Sequence, residues 1–360
     1  MAEREAWTAP SSASPAGDRD AAPRATPAAK VKVSELARIA GVSASTVSKV
    51  INGRSGISDE TRRLVERVLH EHGYSRPLVS TKISPTIELV VEYIEHNGTM
   101  ELIKYASHWA QQAGLAVTVT QTNHGEATEE CFRGIIDRNP LGVIMQQMGG
   151  LNEQAKTLLK TRGIPIVVID PITSVDEDVM SVAIDNWTAG YQAGRHLLAL
   201  GHRRIGVIQG PLEMQSAIAR YSGFAAALQQ ARVPLPAEYV REGDYFPAEE
   251  SHRAACALLD LPERPTALFC CNDLSAVAAY RAARERRIHL PRQLSVMGFD
   301  DIFPAEQLMP ALTSVRQPFS DIARHAVRMI VQTREGASPE RHVILPTVVT
   351  VRESVIAPPK

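Results

Sequence analysis

Residues 36–52 run Leu36-Ala37-Arg38-Ile39-Ala40-Gly41-Val42-Ser43-Ala44-Ser45-Thr46-Val47-Ser48-Lys49-Val50-Ile51-Asn52. Leu36, Ile39 and Ala40 stand at helical spacing and are expected to bury one face. Gly41 suits a helix end that needs positive φ. Ser43 offers its hydroxyl as the N-cap of a second helix. That helix turns Val47, Val50 and Ile51 inward and leaves Ala44, Ser45, Ser48 and Lys49 outward. A third helix, capped by Ser58, is expected from Asp59 to His72, with Leu64, Val65, Val68 and Leu69 as its apolar set and Gly73 as its stop. Two short helices across a Gly turn, with a small polar outer face, make a helix-turn-helix whose second helix can enter a major groove. The alternative is three amphipathic helices of an ordinary bundle.

The run closely resembles the DNA-binding headpiece of the lactose-repressor (LacI/GalR) family. The matching residues are Ala37, Ala40-Gly41-Val42-Ser43, Thr46-Val47-Ser48-Lys49-Val50, Asn52, Gly53, Thr61-Arg62 and Gly73-Tyr74. The resemblance implies DNA contacts from Ala44, Ser45, Thr46, Ser48, Lys49 and Asn52. Lys32 departs from the family, which usually has a first-helix Thr cap there, and Ser34 is expected to take over that cap. In many members the next segment forms a hinge helix on DNA, and paired hinge helices wedge a Leu into the minor groove. Here the linker, residues 77–86, is shorter than that pattern and contains Pro85; the resemblance makes Leu78, on a helix starting at Pro77, the expected substitute wedge.

Composition bounds the rest. The 360 residues leave room for two or three domains, and the net charge is −1. Between Val31 and Arg76 eight Lys/Arg stand against five Asp/Glu, a local net of +3, which suits a headpiece that adds phosphate contacts by dimerising. Cys131, Cys256, Cys270 and Cys271 show no CxxC pattern or Cys/His ligand spacing, so buried thiols in a reduced, cytoplasmic setting are expected, with no metal and no cofactor. No apolar run is long enough to span a bilayer, and the N-terminus carries charges where a secretory signal needs an apolar core. Residues 1–30, rich in Ala, Pro and Ser, are expected to be a disordered tail, and 355–360 a second short tail.

From Ile87 short apolar runs alternate with helical patterns. Strands are expected at 87–91, 116–120, 142–145, 166–169, 179–184 and 205–209, then near Tyr239 and at 267–270 and 294–299. Helices are expected around Leu102 to Ala113 and at 186–200, 215–231, 248–259 and 273–286. This alternation gives parallel sheets covered on both faces, and its length calls for two of them. The fold class is therefore an α-helical helix-turn-helix headpiece (31–76) joined to an α/β core (87–354) of two doubly wound parallel-sheet subdomains.

The core resembles the periplasmic-binding-protein-like half of the same family, on Val168-Ile169-Asp170, Ile184-Asp185-Asn186, Gly201-His202-Arg203-Arg204-Ile205, Cys271-Asn272-Asp273, Val296-Met297-Gly298-Phe299-Asp300-Asp301 and Thr313-Ser314-Val315-Arg316-Gln317-Pro318-Phe319. By that resemblance the chain crosses between subdomains near 183–187, 298–304 and 314–319, and an effector binds in the cleft. Ligands of open α/β sheets sit beyond the carboxyl ends of the strands. The effector positions map to Gln146, Asp170, Arg220, Tyr245, Asn272, Asp300 and Gln317, with Tyr245, Phe319 or Trp187 offering an aromatic face to a sugar. Plainer roles stand beside these. Asn272 or Asp273 can simply cap the next helix, Asp185 or Asn186 the helix at 186, and Trp109 lies on an apolar stripe. Glu92 and Tyr93 end the first strand and either line the cleft or face solvent. Ile218 stands where the family often has a further Arg.

These features imply a homodimeric repressor of carbohydrate catabolism genes that binds a palindromic operator and is released by a small sugar. A transport receptor would lack the headpiece. An enzyme would need catalytic residues, and no P-loop, G-x-G-x-x-G after a strand, G-x-S-x-G or H-E-x-x-H is present. Val168-Ile169-Asp170-Pro171 and Asn186-Trp187 are most similar to actinobacterial members that respond to xylo- or cello-oligosaccharides.

Overall fold

A computed structural model describes residues 32–51, 56–72, 83–122, 129–146, 153–171, 179–212, 214–244 and 249–358. The expected tail 1–30, Asn52, most of the linker including Leu78, and Tyr245 lie outside the described residues.

Helices α1 (Val33–Ile39), α2 (Ala44–Ile51) and α3 (Asp59–Glu71) pack around Leu36, Ala37, Ala40, Val47, Val50, Val65 and Leu69. Gly41 takes φ +65°, the turn conformation that favours glycine. Ser43 Oγ accepts from Thr46 N at 3.0 Å and Ser58 Oγ from Thr61 N at 3.3 Å, so both serines cap. Ser34 does not: α1 begins one residue before it, after Lys32, which offers no side-chain cap. Ile39 and Leu64 are 41% and 40% exposed, against expectation. At 3.6 residues per turn each lies roughly 100° round its helix from the centre of the buried stripe, too far to reach the core. Ser43→Ala should cost about 1 kcal/mol of headpiece stability. A thermal melt of the helical signal checks this, and an unchanged midpoint would contradict the cap.

The first subdomain starts with β1 (Ser84–Val91), α4 (Asn97–Gln112), β2 (Ala116–Gln121), α5 (Glu129–Arg138), β3 (Pro140–Gln146), α6 (Glu153–Thr161), β4 (Ile166–Ile169) and β5 (Met180–Ile184). The second holds α7 (Asn186–Ala199), β6 (Ile205–Gln209), α8 (Gln215–Gln230), β7 (Val240–Glu242), α9 (Glu249–Leu259), β8 (Ala267–Cys270), α10 (Asp273–Glu285), β9 (Ser295–Asp300) and β10 (Thr313–Arg316). The chain then returns to the first subdomain with α11 (Phe319–Arg334) and β11 (His342–Leu345), and ends in the second with β12 (Val348–Thr350). The two six-stranded sheets have orders β11-β5-β4-β3-β1-β2 and β12-β10-β9-β8-β6-β7. Every neighbouring pair is parallel except β10 with β12.

The chain changes sheet between Ile184 and Asn186, between Arg316 and Phe319, and between Leu345 and Val348. The expected crossing at 298–304 is therefore corrected to 345–348. β9 and β10 are hydrogen-bonded neighbours in one sheet, joined by a loop that never leaves the second subdomain. Pro85, expected in the linker, lies in β1 beside a register shift between Ser84 and Ile87, where a missing N–H is tolerated. Nor is the segment after Ser354 a tail as far as it is described. Val355 is buried, Ile356 N donates to Ser295 Oγ at 3.1 Å, and Ile356 O lies 2.8 Å from His202 Nε2.

Helices α7 and α8 pack closely because glycines face each other's backbone. A Cβ on Gly190 would overlap Arg220 O, and one on Gly223 would overlap Trp187 O. This crossing sets the positions of Asn186 at the start of α7 and Arg220 on α8.

Candidate functional site

A cavity of about 130 Å³ lies where the carboxyl ends of the two sheets face each other. Gln146 and Asp170 reach it from the ends of β3 and β4, and Asn272 and Asp300 from β8 and β9. Arg220 reaches it from α8 and Gln317 from the passage into α11. Six of the seven expected effector residues thus line one space, and the seventh, Tyr245, lies outside the described residues.

Arg220 is the hub. Its Nε donates to Asn186 Oδ1 at 2.8 Å, and Nη1 donates to Cys271 O at 2.8 Å and Asp300 Oδ1 at 3.2 Å. Its guanidinium lies 3.8 Å over the Phe299 ring. Gln317 Nε2 donates to Asp300 Oδ1 at 2.6 Å, and Asn186 Nδ2 donates to Asp170 Oδ1 at 3.0 Å. A continuous polar chain, Asp170–Asn186–Arg220–Asp300–Gln317, therefore links the first subdomain to the second. Arg220 and Asp300 both belong to the second subdomain and pair with each other.

Burial pushes the Asp170 and Asp300 carboxyls above the ordinary aspartate range, opposed mainly by the Arg220 guanidinium. Asp170 takes φ +45° and Asp300 φ +105°, costly backbone conformations that turn each carboxylate off its strand end. Burial lowers the pKa of His96, which also lines the cavity.

Among the described residues, two side chains that line this cavity each carry a buried polar atom with no hydrogen-bond partner: the acceptor Gln146 Oε1 and the donor Asn272 Nδ2. Asn272 does cap α10, through Oδ1 accepting from Ser275 N at 2.8 Å, but its amide nitrogen is left over. Unsatisfied groups of this kind cost free energy until something pairs with them.

Other candidates fall elsewhere. Asp273 is buried and accepts from Ile302 N at 2.8 Å and Ser314 Oγ at 2.6 Å; it organises the loop after β9. Asp185 caps α7, accepting from Thr188 N at 2.9 Å. Trp187 is 46% exposed and stacks on Tyr191, away from the cavity, and Ile218 is exposed. Trp109 packs at the edge of the core, donating to Ser320 Oγ at 3.2 Å. Glu92, Tyr93 and Phe319 do line the cavity. His96 and Ser216 line it too and were not anticipated. His96 follows β1 by a few residues, so the strand-end rule that selected Asp170 also reaches it.

On the headpiece, Ala44, Ser45, Ser48 and Lys49 are exposed along α2. Thr46 is half-buried, its hydroxyl 2.8 Å from that of Ser43.

Comparison with known proteins places these features in context. Residues 32–77 match the bacterial regulatory proteins of the lacI family, and residues 195–355 match a periplasmic binding protein-like domain. The HTH-type transcriptional repressor PurR of Escherichia coli O139:H28 (strain E24377A / ETEC) is 32% identical over 305 residues, 83% of this chain and 89% of PurR. The solved structure of the transcriptional regulator CelR in complex with cellobiose shares 30% identity at a TM-score of 0.69, covering 90% of this chain and 100% of CelR. The lac repressor dimer bound to operator and the anti-inducer ONPF shares 26% identity at a TM-score of 0.66, covering 91% and 99%.

Proposed function

Because this chain belongs to the lacI family of bacterial regulatory proteins, a family of DNA-binding transcriptional repressors, we propose that a small carbohydrate in the cavity releases it from its operator. Repressors of this family act as dimers with small-molecule effectors and are not enzymes. Among the described residues no helix is long and apolar enough to cross a membrane.

The observation that carries the sugar reading is the pair of unsatisfied atoms, one acceptor and one donor, at one cavity. Sugar hydroxyls can do both jobs, since each can donate to an acceptor such as Gln146 Oε1 or accept from a donor such as Asn272 Nδ2. Glu92, Asp170 and Asp300 outnumber the single guanidinium of Arg220 along the wall, which disfavours a phosphorylated or carboxylated ligand. Phe319 supplies an apolar surface for sugar C–H groups. The CelR relative, solved with cellobiose, supports the same class, so cello- and xylo-oligosaccharides are the first candidates. In this proposal the core from Ser84 onward binds effector and dimerises, and residues 31–76 read DNA.

The test is a thermal-shift and operator-binding titration of the whole protein with glucose, xylose, cellobiose, xylobiose and, as a contrast, planar nitrogenous bases. One sugar should raise the melting temperature and weaken operator binding. A response to the bases alone would overturn the carbohydrate assignment and leave the repressor standing.

On the DNA side, exposed Lys49 is proposed to meet a guanine edge, with Ala44 and Ser45 beside it. Lys49→Ala should then cost about 1–3 kcal/mol of specific binding. Operator affinity measured by fluorescence anisotropy checks this, and wild-type affinity in the variant would remove the assignment.

A further inference from the structure

Far from the effector cavity, α9 and α10 bring together three side chains that neither DNA binding nor effector binding uses. His252 and Cys256 lie one turn apart on α9, and Glu285 ends α10 beside them. His252 Nε2 is 2.9 Å from Glu285 Oε2 and 3.6 Å from Cys256 Sγ, and all three donor atoms lie within 4.8 Å of one another. We propose that His252, Cys256 and Glu285 form a zinc(II) site that staples α9 to α10. The proposal is independent of the effector reading.

The distances suit the metal. With Zn–S near 2.3 Å and Zn–N near 2.0–2.1 Å, a tetrahedral site has an N···S edge of roughly 3.6 Å and an N···O edge of roughly 3.4 Å. The first edge is already met, the second needs Glu285 to withdraw by about 0.5 Å, and the S···O edge, within 4.8 Å here, must settle at roughly 3.6 Å. Glu285 is exposed, so its carboxylate can shift while keeping the Arg281 contact, and His252 and Cys256 are half-buried on the helix face. An i, i+4 pair on one helix turn is also the spacing at which two side chains converge on one ion. His252 and Cys256 thus form a Cys/His ligand spacing, against the expectation that the four cysteines carry none.

The surroundings supply charge balance and an outer shell. Arg281 Nε donates to Glu285 Oε1 at 3.2 Å and Arg281 Nη1 to Glu249 at 2.9 Å, which orients Glu285 with Oε2 toward the histidine. Arg286 grips Asp260 through Nε at 2.7 Å and Nη2 at 2.6 Å, leaving Nη1 3.2 Å from Cys256 Sγ. An N–H donor on a metal-bound thiolate is the kind of outer contact that tunes such sites. Once Cys256 has lost its proton, the thiolate, Glu285, Glu249 and Asp260 exceed the two guanidinium groups by two negative charges, which a divalent cation cancels. On binding, the thiol proton leaves to solvent and the S–Zn bond forms without any change of oxidation state, so affinity should rise with pH.

The alternative is an ion-pair network with no metal. The test uses the purified, chelator-treated full-length protein titrated with cobalt(II) and then zinc(II). One cobalt per chain should bind with thiolate-to-cobalt charge-transfer absorption, zinc should displace it, and zinc alone should raise the melting temperature. Cys256→Ser should abolish the absorption, His252→Ala should weaken zinc binding at least about tenfold, and Cys131→Ser should change neither. Absence of the absorption in the native chain, its survival in Cys256→Ser, or unchanged zinc affinity in His252→Ala would each overturn the site.

Discussion

Gly223→Ala should unfold or severely destabilise the core, and Gly223→Val should leave little soluble protein. The added Cβ would overlap Trp187 O, a backbone atom of α7 with no rotamer to escape into. Relief requires the two helices to part. Parting them breaks the Gly190 approach to Arg220 O on the same crossing and pulls Arg220 away from Asn186. Overpacking against side chains typically costs about 1–3 kcal/mol. Against backbone at a double glycine contact the Ala variant should reach the top of that range and the Val variant exceed it, a large share of the 5–15 kcal/mol that holds a typical domain. Soluble yield and denaturant melts report this. A Gly223→Ala protein within about 0.5 kcal/mol of wild type would show that the helices do not cross this tightly.

Arg220→Ala should damage stability and effector response together. Removing the guanidinium leaves the buried Asp300 carboxyl with Gln317 as donor and His96 nearby, and breaking a buried pair from one side costs about 3–5 kcal/mol. The loss should depend on pH. Burial already raises the Asp300 carboxyl above its ordinary value near 3.8, and Arg220 is the main influence pulling it down. Without Arg220 the folded-state value climbs further. A carboxyl raised in the folded state contributes stability that is present below its unfolded value and lost as pH rises through its folded value. The variant's deficit should therefore be small in acid and grow toward neutral pH. Asp300→Asn in the same chain should recover part of it, the signature of coupling between the two residues. Melts of the single and double variants at pH 5 and pH 8 separate the outcomes; equal deficits at both would contradict the pairing.

Much of this site was legible in the sequence because its residues follow buried apolar strands. Asp170, Asn272 and Asp300 each come directly after or at the end of such a run, where geometry sends them to the cleft. What each would touch was not legible. That Arg220 pairs with Asp300 depends on α8 packing beside β9's end, a tertiary fact with no local pattern. The misplaced crossing has a similar cause. The crossing at 298–304 rests on the family resemblance alone, and the left-handed backbone there, φ +105° at Asp300 and +58° at Asp301, instead opens a loop that rejoins the same sheet. Short β11 and β12 carry too few residues to announce which sheet they join, and α11 was overlooked behind the motif ending at Phe319. The His252–Cys256–Glu285 cluster needed two helices side by side before its third member came into view.

The late return of the chain to the first subdomain governs the order in which the protein can be made. Ile322, Ala323, Ala326, Val327 and Ile330 of α11 are core residues of a layer whose first strand is β1, and β11 completes that sheet at its far edge. A nascent chain that has emerged through β5 has five strands of that sheet but lacks the helix that seals one of its faces. It must wait, with apolar surface uncovered, while the whole second subdomain is synthesised. The second subdomain waits in turn for β12 and the buried Ser354, which accepts from Val296 N at 3.0 Å. Neither half can fold to completion as it leaves the ribosome. Both close only once β11, β12 and Ser354 have emerged, through contacts of long sequence separation that fold slowly and expose the unfinished chain to chaperones and to aggregation.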